Sequence, residues 1–353
     1  MKKKMFRTVL IFTMILAMFA VTGCKSAKKN YKNGELNLYV WTEYVPDSVI
    51  KKFEEEYEIK VNVSVFSTNE DMLAKVKSES EGAFDVVLPS DYMVTQMYEQ
   101  GLLEQLDQSV LTNLSNIGPQ YLNQNYDLGN VYSVPYQGGV AAIAVNTTKI
   151  NTDVTSYADL FKEEFKNSMV VLDDYRAVIG MTARSMGYSM NETDTAVLSE
   201  IKDKLLTLKN NIKLYDSDSP KSALISGDCT AAFCWSAEIA LAMEENSDIK
   251  IVFPSEGAYK FMDNWCIPKG AKNYDNAMKF INYMLGTEPA QMVMEEYPYL
   301  NPNTSAVEAM GSEYTKNEAK NPPQEVMKAG EYVLSLDTDT LAVYDKMWTD
   351  LKQ

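Results

Sequence analysis

Four residues at the end of the first predicted strand combine two aromatic faces with one carboxylate. Apolar and other residues alternate through Leu36–Val40, which is the period-2 pattern of a strand, and the chain then presents Trp41, Thr42, Glu43 and Tyr44. Ligands of open α/β sheets bind just beyond the carboxyl ends of strands. Because an organic cation needs a π face and a counter-charge, this turn suits such a ligand. A Trp and a Tyr at a strand end are explained equally well as core residues.

Two further segments carry residues of the same chemistry. The apolar run Phe84–Leu88 predicts a short buried strand, and the turn after it supplies the Ser90 hydroxyl, the Asp91 carboxylate and the Tyr92 ring. Asp263 lies among apolar residues in a later predicted strand, where a carboxylate without a partner would be costly. A binding role is therefore favoured for Asp263.

The elements that would position these residues alternate along the chain. Strand and helix patterns follow one another from Leu36 onward and again from Ser168 to Phe253, which predicts parallel α/β winding. Gln137-Gly138-Gly139 and Pro254–Gly257 interrupt the β pattern and are candidate crossings between two lobes. A ligand would lie in the cleft and be enclosed by hinge closure. The predicted division is lobe 1, residues 34–138 with 256–300, and lobe 2, residues 139–255 with 301–353.

The first 23 residues have the features of a signal peptide. Basic residues precede the apolar run Val9–Ala20, which is too short to span a membrane comfortably. Val21-Thr22-Gly23-Cys24 resembles the lipobox of bacterial lipoproteins, in which the chain is cut before a cysteine that receives lipid. Residues 24–33 would then be a tether. The alternative is an ordinary secretory signal followed by a chance cysteine.

The composition disfavours several other classes of protein. The chain has 33 basic and 49 acidic residues, and removal of the four basic signal residues leaves a net charge of −20. Such a surface repels nucleic acid and attracts cations, although acidity also serves solubility alone. The sequence has no His and no CxxC, and its three later cysteines, Cys229, Cys234 and Cys266, predict small buried side chains. No metal or cofactor is expected.

From about Leu36 to its end, the chain resembles the polyamine-binding proteins that serve spermidine/putrescine ABC importers. The segments that carry the resemblance are YVWTEYVPD, AFDVVLPSDYMV, YSVPY, SYADLF, VLDDYR, FMDNWCIP and YLNPN. It implies an α/β fold, a bilobal clamshell like that of periplasmic binding proteins. It also implies these ligand-binding residues: Trp41, Thr42, Glu43, Tyr44, Ser90, Tyr92, Asp174, Trp235, Phe261, Asp263 and Tyr299.

Four positions depart from the pattern of that family. Ala177 stands where a Glu is frequent, Val333 where a Gln is found, Phe261 where a Trp is usual, and Asp91 where a neutral residue is usual. One carboxylate and one amide are therefore lost, and one carboxylate is gained nearby. Asp174 can alternatively cap the following helix. The three implied site carboxylates favour spermidine over putrescine, whereas Ala177 argues the other way.

The resemblance implies a non-enzymatic, monomeric receptor outside the cytoplasm, held at the membrane only through lipid on Cys24. It would deliver a polyamine to the permease subunits of an ABC transporter and would not bind nucleic acid. One alternative is a binding protein of the same fold for a sugar, an amino acid or an iron complex. Another is a carboxylate-based glycosidase, which is disfavoured because no acid/base pair is evident. A surface interaction protein would lack a closed aromatic cleft.

Overall fold

The computed structural model describes residues 31–353, so the predicted signal peptide and Cys24 lie outside the described residues. Ten strands are present in this part of the chain. Their bounds are β1 Glu35–Trp41, β2 Lys60–Phe66, β3 Val86–Val87, β4 Ser133–Asn146, β5 Met169–Val171, β6 Ile212–Tyr215, β7 Ala231–Trp235, β8 Ile249–Val252, β9 Tyr259–Cys266 and β10 Glu331–Tyr332.

Thirteen α-helices lie between and after the strands in the described residues. The α-helices are α1 Asp47–Tyr57, α2 Asn69–Ser78, α3 Asp91–Glu99, α4 Tyr175–Ser185, α5 Thr195–Leu208, α6 Lys221–Ile225, α7 Ser236–Glu245, α8 Tyr274–Met284, α9 Thr287–Glu296, α10 Thr304–Ala309, α11 Ser312–Thr315, α12 Gln324–Ala329 and α13 Thr338–Lys352. Short 3-10 helices occur at Gln108–Val110, Thr112–Asn116, Pro119–Tyr121, Tyr157–Phe161 and Glu163–Phe165. Within the described residues, no helix is long and apolar enough to cross a membrane.

One mixed sheet runs through the protein in the order β2-β1-β3-β9-β4-β7-β5-β6, with β10 beside β9 and β8 beside β4. The strands β1, β2 and β3 are mutually parallel, as are β5, β6 and β7. Antiparallel β4 and β9 join the two groups. We call β1–β3 with their helices the first lobe, and β5–β8 with theirs the second lobe.

The crossing at β4 is continuous. Sequence reasoning divided this region into two β segments around Gln137–Gly139, but β4 runs without interruption and contains only a bulge between Pro135 and Gln137. The close approach of β9 explains the glycine at 138, because a Cβ there would lie 2.5 Å from the Phe261 carbonyl oxygen. All residues of β4 are buried, and the strand lies between β9 and β7 in the interior of the sheet.

The residue boundaries of the lobes stay a prediction. The backbone N–H of Gly118 donates to the Pro302 carbonyl, and the Asn303 amide donates to the Leu285 carbonyl, each at 2.9 Å. These contacts connect the segment after Leu300 to the first lobe, whereas α13 packs on α4 and α5 of the second. Tyr314 of α11 also packs with Ala290 and Met294 of α9. Together these contacts favour a boundary C-terminal to α11 over the predicted one at Leu300.

The local predictions differ from the structure at several elements. The helices α5 and α7 were not predicted from the sequence. The sequence pattern of Gln324–Leu334 predicts a single helix, whereas α12 ends at Ala329 and Glu331–Tyr332 form β10 beside β9. Such pairing depends on a partner strand about 70 residues away. The predicted burial of Cys229, Cys234 and Cys266 is confirmed, and all three are free thiols.

Candidate ligand-binding site

A cavity of about 470 Å³ lies between the two lobes, where the carboxyl ends of two sets of three parallel strands meet. The turns after β1, β2 and β3 form one wall, and those after β5, β6 and β7 form the other. Tyr259, Phe261 and Asp263 of β9 alternate along the strand and line the floor together. Parallel winding brings these turns to one edge because every strand of a lobe points the same way.

All eleven side chains that the resemblance implied as ligand contacts line this one cavity. The structure thus brings together residues spread from Trp41 to Tyr299. That each of them contacts a ligand stays a prediction.

The lining is strongly acidic. Eight of its side chains are carboxylates, and no Lys or Arg belongs to the lining within the described residues. The eight are Glu43, Glu70, Asp71, Asp173, Asp174, Asp218, Asp263 and Asp345. Asp173 is already paired, because the Lys352 ammonium lies 2.6 Å from its Oδ1. The cavity as a whole favours a ligand that carries more than one positive charge.

Asp263 is the most enclosed of these carboxylates. Its Oδ1 accepts a hydrogen bond from the Ser90 hydroxyl at 2.6 Å, and its Oδ2 accepts one from the Tyr44 hydroxyl at 2.7 Å. Burial raises the pKa of the Asp263 carboxyl to about 7, against the lowering effect of these two hydrogen bonds. The structure corrects the expectation that Asp263 lacks a polar partner, but both partners are neutral, and a cation would still stabilise its charged form.

Asp174 has two roles that sequence reasoning treated as alternatives. As the N-cap of α4, its Oδ1 accepts a hydrogen bond from the Ala177 backbone N–H at 3.0 Å, and its side chain also lines the cavity. Burial raises the pKa of its carboxyl to about 6, while the capping bond and the Arg176 guanidinium lower it. Since capping uses one oxygen, the other remains able to accept from a ligand.

Aromatic rings form a connected surface over the floor of the cavity. The Trp235 and Phe261 ring centroids lie 4.8 Å apart, Phe261 and Tyr299 are 6.2 Å apart, and Tyr299 and Tyr44 are 5.0 Å apart. These rings line the same cavity as Asp263. Methylene groups pack well on aromatic faces, and ammonium groups are attracted to them.

Hydrogen bonds bridge the two walls. The Tyr175 hydroxyl of the second lobe donates to Glu70 Oε1 of the first at 3.2 Å, and the Tyr92 hydroxyl donates to the same oxygen at 3.0 Å. Ser67 and Asp218 form a second, longer bridge of 3.4 Å. The lobes are thus in contact across the cleft.

Sequence reasoning missed several lining residues. Glu70 follows the carboxyl end of β2, so the rule that identified the turns after β1 and β3 could have found it. Leu341, Asp345 and Trp348 are spaced as one helical face of α13, which indicates a common face but not what that face covers.

The four positions that differ from the family pattern do not all line the cavity. Phe261 lines the cavity, whereas Asp91 does not: it is buried, and its carboxylate accepts hydrogen bonds from the backbone N–H groups of Met262 and Tyr92. Asp91 is therefore not a gained ligand carboxylate. Ala177 and Val333 are also buried and stand outside the lining.

Comparison with known proteins agrees with this geometry. The sequence pattern of a family described as bacterial extracellular solute-binding protein matches residues 48–323. A spermidine/putrescine-binding periplasmic protein of Salmonella typhimurium is 36% identical over 339 residues, covering 96% of this chain and 97% of its own. The substrate-binding protein PotD of a spermidine/putrescine ABC transporter from Streptococcus pneumoniae is 35% identical, with a TM-score of 0.78, covering 90% of this chain and 98% of its own.

A third relative has the same shape. The Tp0655 lipoprotein of Treponema pallidum superposes with a TM-score of 0.80 at 28% identity, covering 90% of this chain and 99% of its own. The predicted α/β clamshell of periplasmic-binding-protein type is confirmed by these structural neighbours.

Proposed function

The chain belongs to the bacterial extracellular solute-binding proteins, and on that premise we propose that it captures a polyamine of the spermidine and putrescine class and delivers it to an ABC permease. The observation that carries the proposal is the cleft, in which eight carboxylates and nine aromatic side chains line one cavity. A polyamine is a string of ammonium groups separated by methylene spacers. Carboxylates pair with the ammonium groups, and aromatic faces cover the spacers.

Other cargoes fit this cleft less well. An anion would be repelled by the acidic lining, and a neutral sugar would leave the half-buried Asp174 and the buried Asp263 carboxylates without a compensating charge. An amino acid would place its own carboxylate among these acids. The cleft therefore supports a purely cationic ligand.

In the proposed mechanism, each part of the site contributes to capture. The first wall supplies Trp41 and Glu43, the second supplies Asp174 and Trp235, and Asp263 pairs with an ammonium on the floor. Closure about β4 and β9 then encloses the ligand, which is released at the permease when the lobes separate. The protein acts as a receptor and not as an enzyme, and it needs no cofactor.

The location of the receptor is also part of the proposal. The family name supports a place outside the cytoplasm, and the lipoprotein relative supports a membrane anchor through lipid on Cys24. We also propose that the receptor is a monomer. Lipid anchoring keeps a binding protein close to its permease while leaving the clamshell free to move.

Calorimetric titration of the purified full-length protein tests the proposal. We expect saturable binding of putrescine or spermidine, and no saturable binding of arginine or glucose at matched concentrations. Arginine is the informative control, because it is cationic but carries a carboxylate that the acidic lining would repel. Binding of arginine or glucose with no heat from any polyamine would contradict the proposal.

A further inference from the structure

The strongest remaining feature is a cation at the edge of the cleft that the proposed mechanism does not use. The Lys221 ammonium lies 2.9 Å from Glu238 Oε2 and 3.1 Å from its Oε1, so that it contacts both carboxylate oxygens. It also lies 3.7 Å from Oε2 of Glu43, which lines the cavity from the opposite lobe. One lysine thus links two carboxylates on two lobes.

The contact of Lys221 with Glu238 is shorter and more buried than its contact with Glu43. The Glu238 side chain is 4% exposed and the Lys221 side chain 22%, whereas that of Glu43 is 52% exposed. A buried carboxylate loses much of its hydration, so it depends on its cation, and Glu238 therefore holds Lys221 in place whether or not a ligand is present. The longer contact with the more exposed Glu43 is the weaker one and is open to competition.

The surroundings of Lys221 place it near the aromatic floor. The helix α7 begins directly after Trp235, and Glu238 lies in its first turn. Burial raises the pKa of the Glu238 carboxyl, and Lys221 lowers that pKa. The charges of both Glu238 and Glu43 act on the Tyr299 hydroxyl, whose ring packs against Tyr44 and Phe261. A ligand ammonium that approached Glu43 along this surface would meet the charge of Lys221.

We propose that Lys221 is a resident ammonium that partly occupies the Glu43 subsite and thereby lowers the preference of the site for a triamine over a diamine. The inference rests on the proposed polyamine function. The resemblance favours spermidine because Glu43, Asp174 and Asp263 could pair with three ammonium groups. Of these three carboxylates, Asp174 and Asp263 then match the two charges of a diamine, and a third ligand ammonium directed to Glu43 must compete with a tethered cation.

The test is the ratio of spermidine to putrescine affinity, measured by competition calorimetry on full-length protein. In Lys221→Met we expect the ratio to shift toward spermidine by roughly tenfold, because like-charge repulsion at the third subsite is removed. Lys221→Arg keeps the charge and should keep the wild-type ratio. A lysine of the same lobe, Lys213, pairs with Asp228, which does not line the cavity, whereas Lys221 contacts the lining residue Glu43. Lys213→Met therefore controls for the loss of one positive charge away from the site.

A second variant separates this effect from damage to the buried pair. Lys221→Met leaves Glu238 without its cation, so we include Lys221→Met/Glu238→Gln, in which neither charge remains. The same shift of the ratio in the double variant supports the inference. A ratio within about twofold of wild type in the double variant, or an equal shift in Lys213→Met, overturns it. Wild-type protein that binds neither polyamine would overturn the proposed function itself, which is a distinct result.

Discussion

The Tyr44 hydroxyl donates a hydrogen bond of 2.7 Å to Oδ2 of Asp263, although 219 residues separate the two in sequence. The bond joins the turn after β1 to the central strand β9, and the Ser90 hydroxyl occupies the other carboxylate oxygen. Within the described chain, neutral hydroxyls are the only side chains that hydrogen-bond this buried carboxylate. Asp263 is thus held in a fixed orientation while its charge stays available to a cation.

Replacement of Asp263 by Asn should weaken polyamine binding strongly. The variant keeps the side-chain shape but leaves a bound ammonium without its counter-charge, which costs about 2–5 kcal/mol, or roughly 30- to 4000-fold in affinity. The melting temperature of the ligand-free protein should stay unchanged or rise, because the charged form of a buried carboxylate opposes folding. Calorimetry and thermal unfolding measure the two effects.

Asp91→Asn is the matched control for this substitution. Asp91 and Asp263 are 3% and 4% exposed, but Asp91 hydrogen-bonds backbone N–H groups and lies outside the cavity lining. The affinity of the Asp91→Asn protein for polyamine should stay within about threefold of wild type. Equal losses of affinity in both variants would show that buried charge in general, and not contact with the ligand, controls binding.

Polyamine affinity should increase with pH between about 5 and 8. Burial raises the pKa of Asp263 to about 7 and that of Asp174 to about 6, so at low pH the empty site holds protons that a bound ammonium must displace. Each such proton gives up to about a tenfold change in affinity per pH unit. Titrations in buffers of different ionisation enthalpy should show proton release on binding, and a pH-independent affinity over this range would contradict the assignment.

The stability of the ligand-free protein should decrease as pH rises, whereas polyamine affinity increases. Burial raises the pKa of Asp91 to about 8, and with Asp263 and Asp174 this makes the folded protein bind more protons than the unfolded chain between about pH 4 and 8. Stability conferred by these groups is therefore lost as pH rises through that window. Thermal unfolding without ligand should give a lower melting temperature at pH 8 than at pH 5, and Asp263→Asn should reduce the difference.

Removal of the Tyr175 hydroxyl should favour opening of the cleft. Tyr175→Phe breaks the hydrogen bond to Glu70 across the lobes, and we expect roughly three- to tenfold weaker polyamine binding. Small-angle scattering should give a larger radius of gyration for the ligand-free variant, and saturating polyamine should reduce it. Tyr188→Phe removes a similar bond to Glu200 within the second lobe and should change neither quantity.

Cys24→Ala should abolish membrane anchoring. The lipobox-like Val21-Thr22-Gly23 before Cys24 predicts cleavage and lipidation at that cysteine, and stable retention requires more than one acyl chain. Membrane fractionation after labelling with radioactive palmitate should find label and membrane association in wild type but not in the variant. A labelled Cys24→Ala protein would exclude lipidation at this position.

The sequence by itself determined the local chemistry of the site. A period-2 pattern located β1, and residues at or just after the ends of apolar strands, such as Trp41–Tyr44 and Ser90, line the cavity. Strand ends are readable because parallel α/β winding places them at one edge without further information. The overall clamshell followed from the same alternation together with the family resemblance.

Only the tertiary structure decided which polar and charged side chains contact each other. The Tyr44–Asp263, Tyr175–Glu70 and Lys221–Glu43 contacts each join segments more than 100 residues apart, and no local pattern encodes such distances. Packing also excluded Asp91 from the cavity, although it lies between Ser90 and Tyr92, because its side chain turns to the backbone of Met262. Residue types are set by the chain, but burial and pairing of charges depend on which surfaces the lobes bring together.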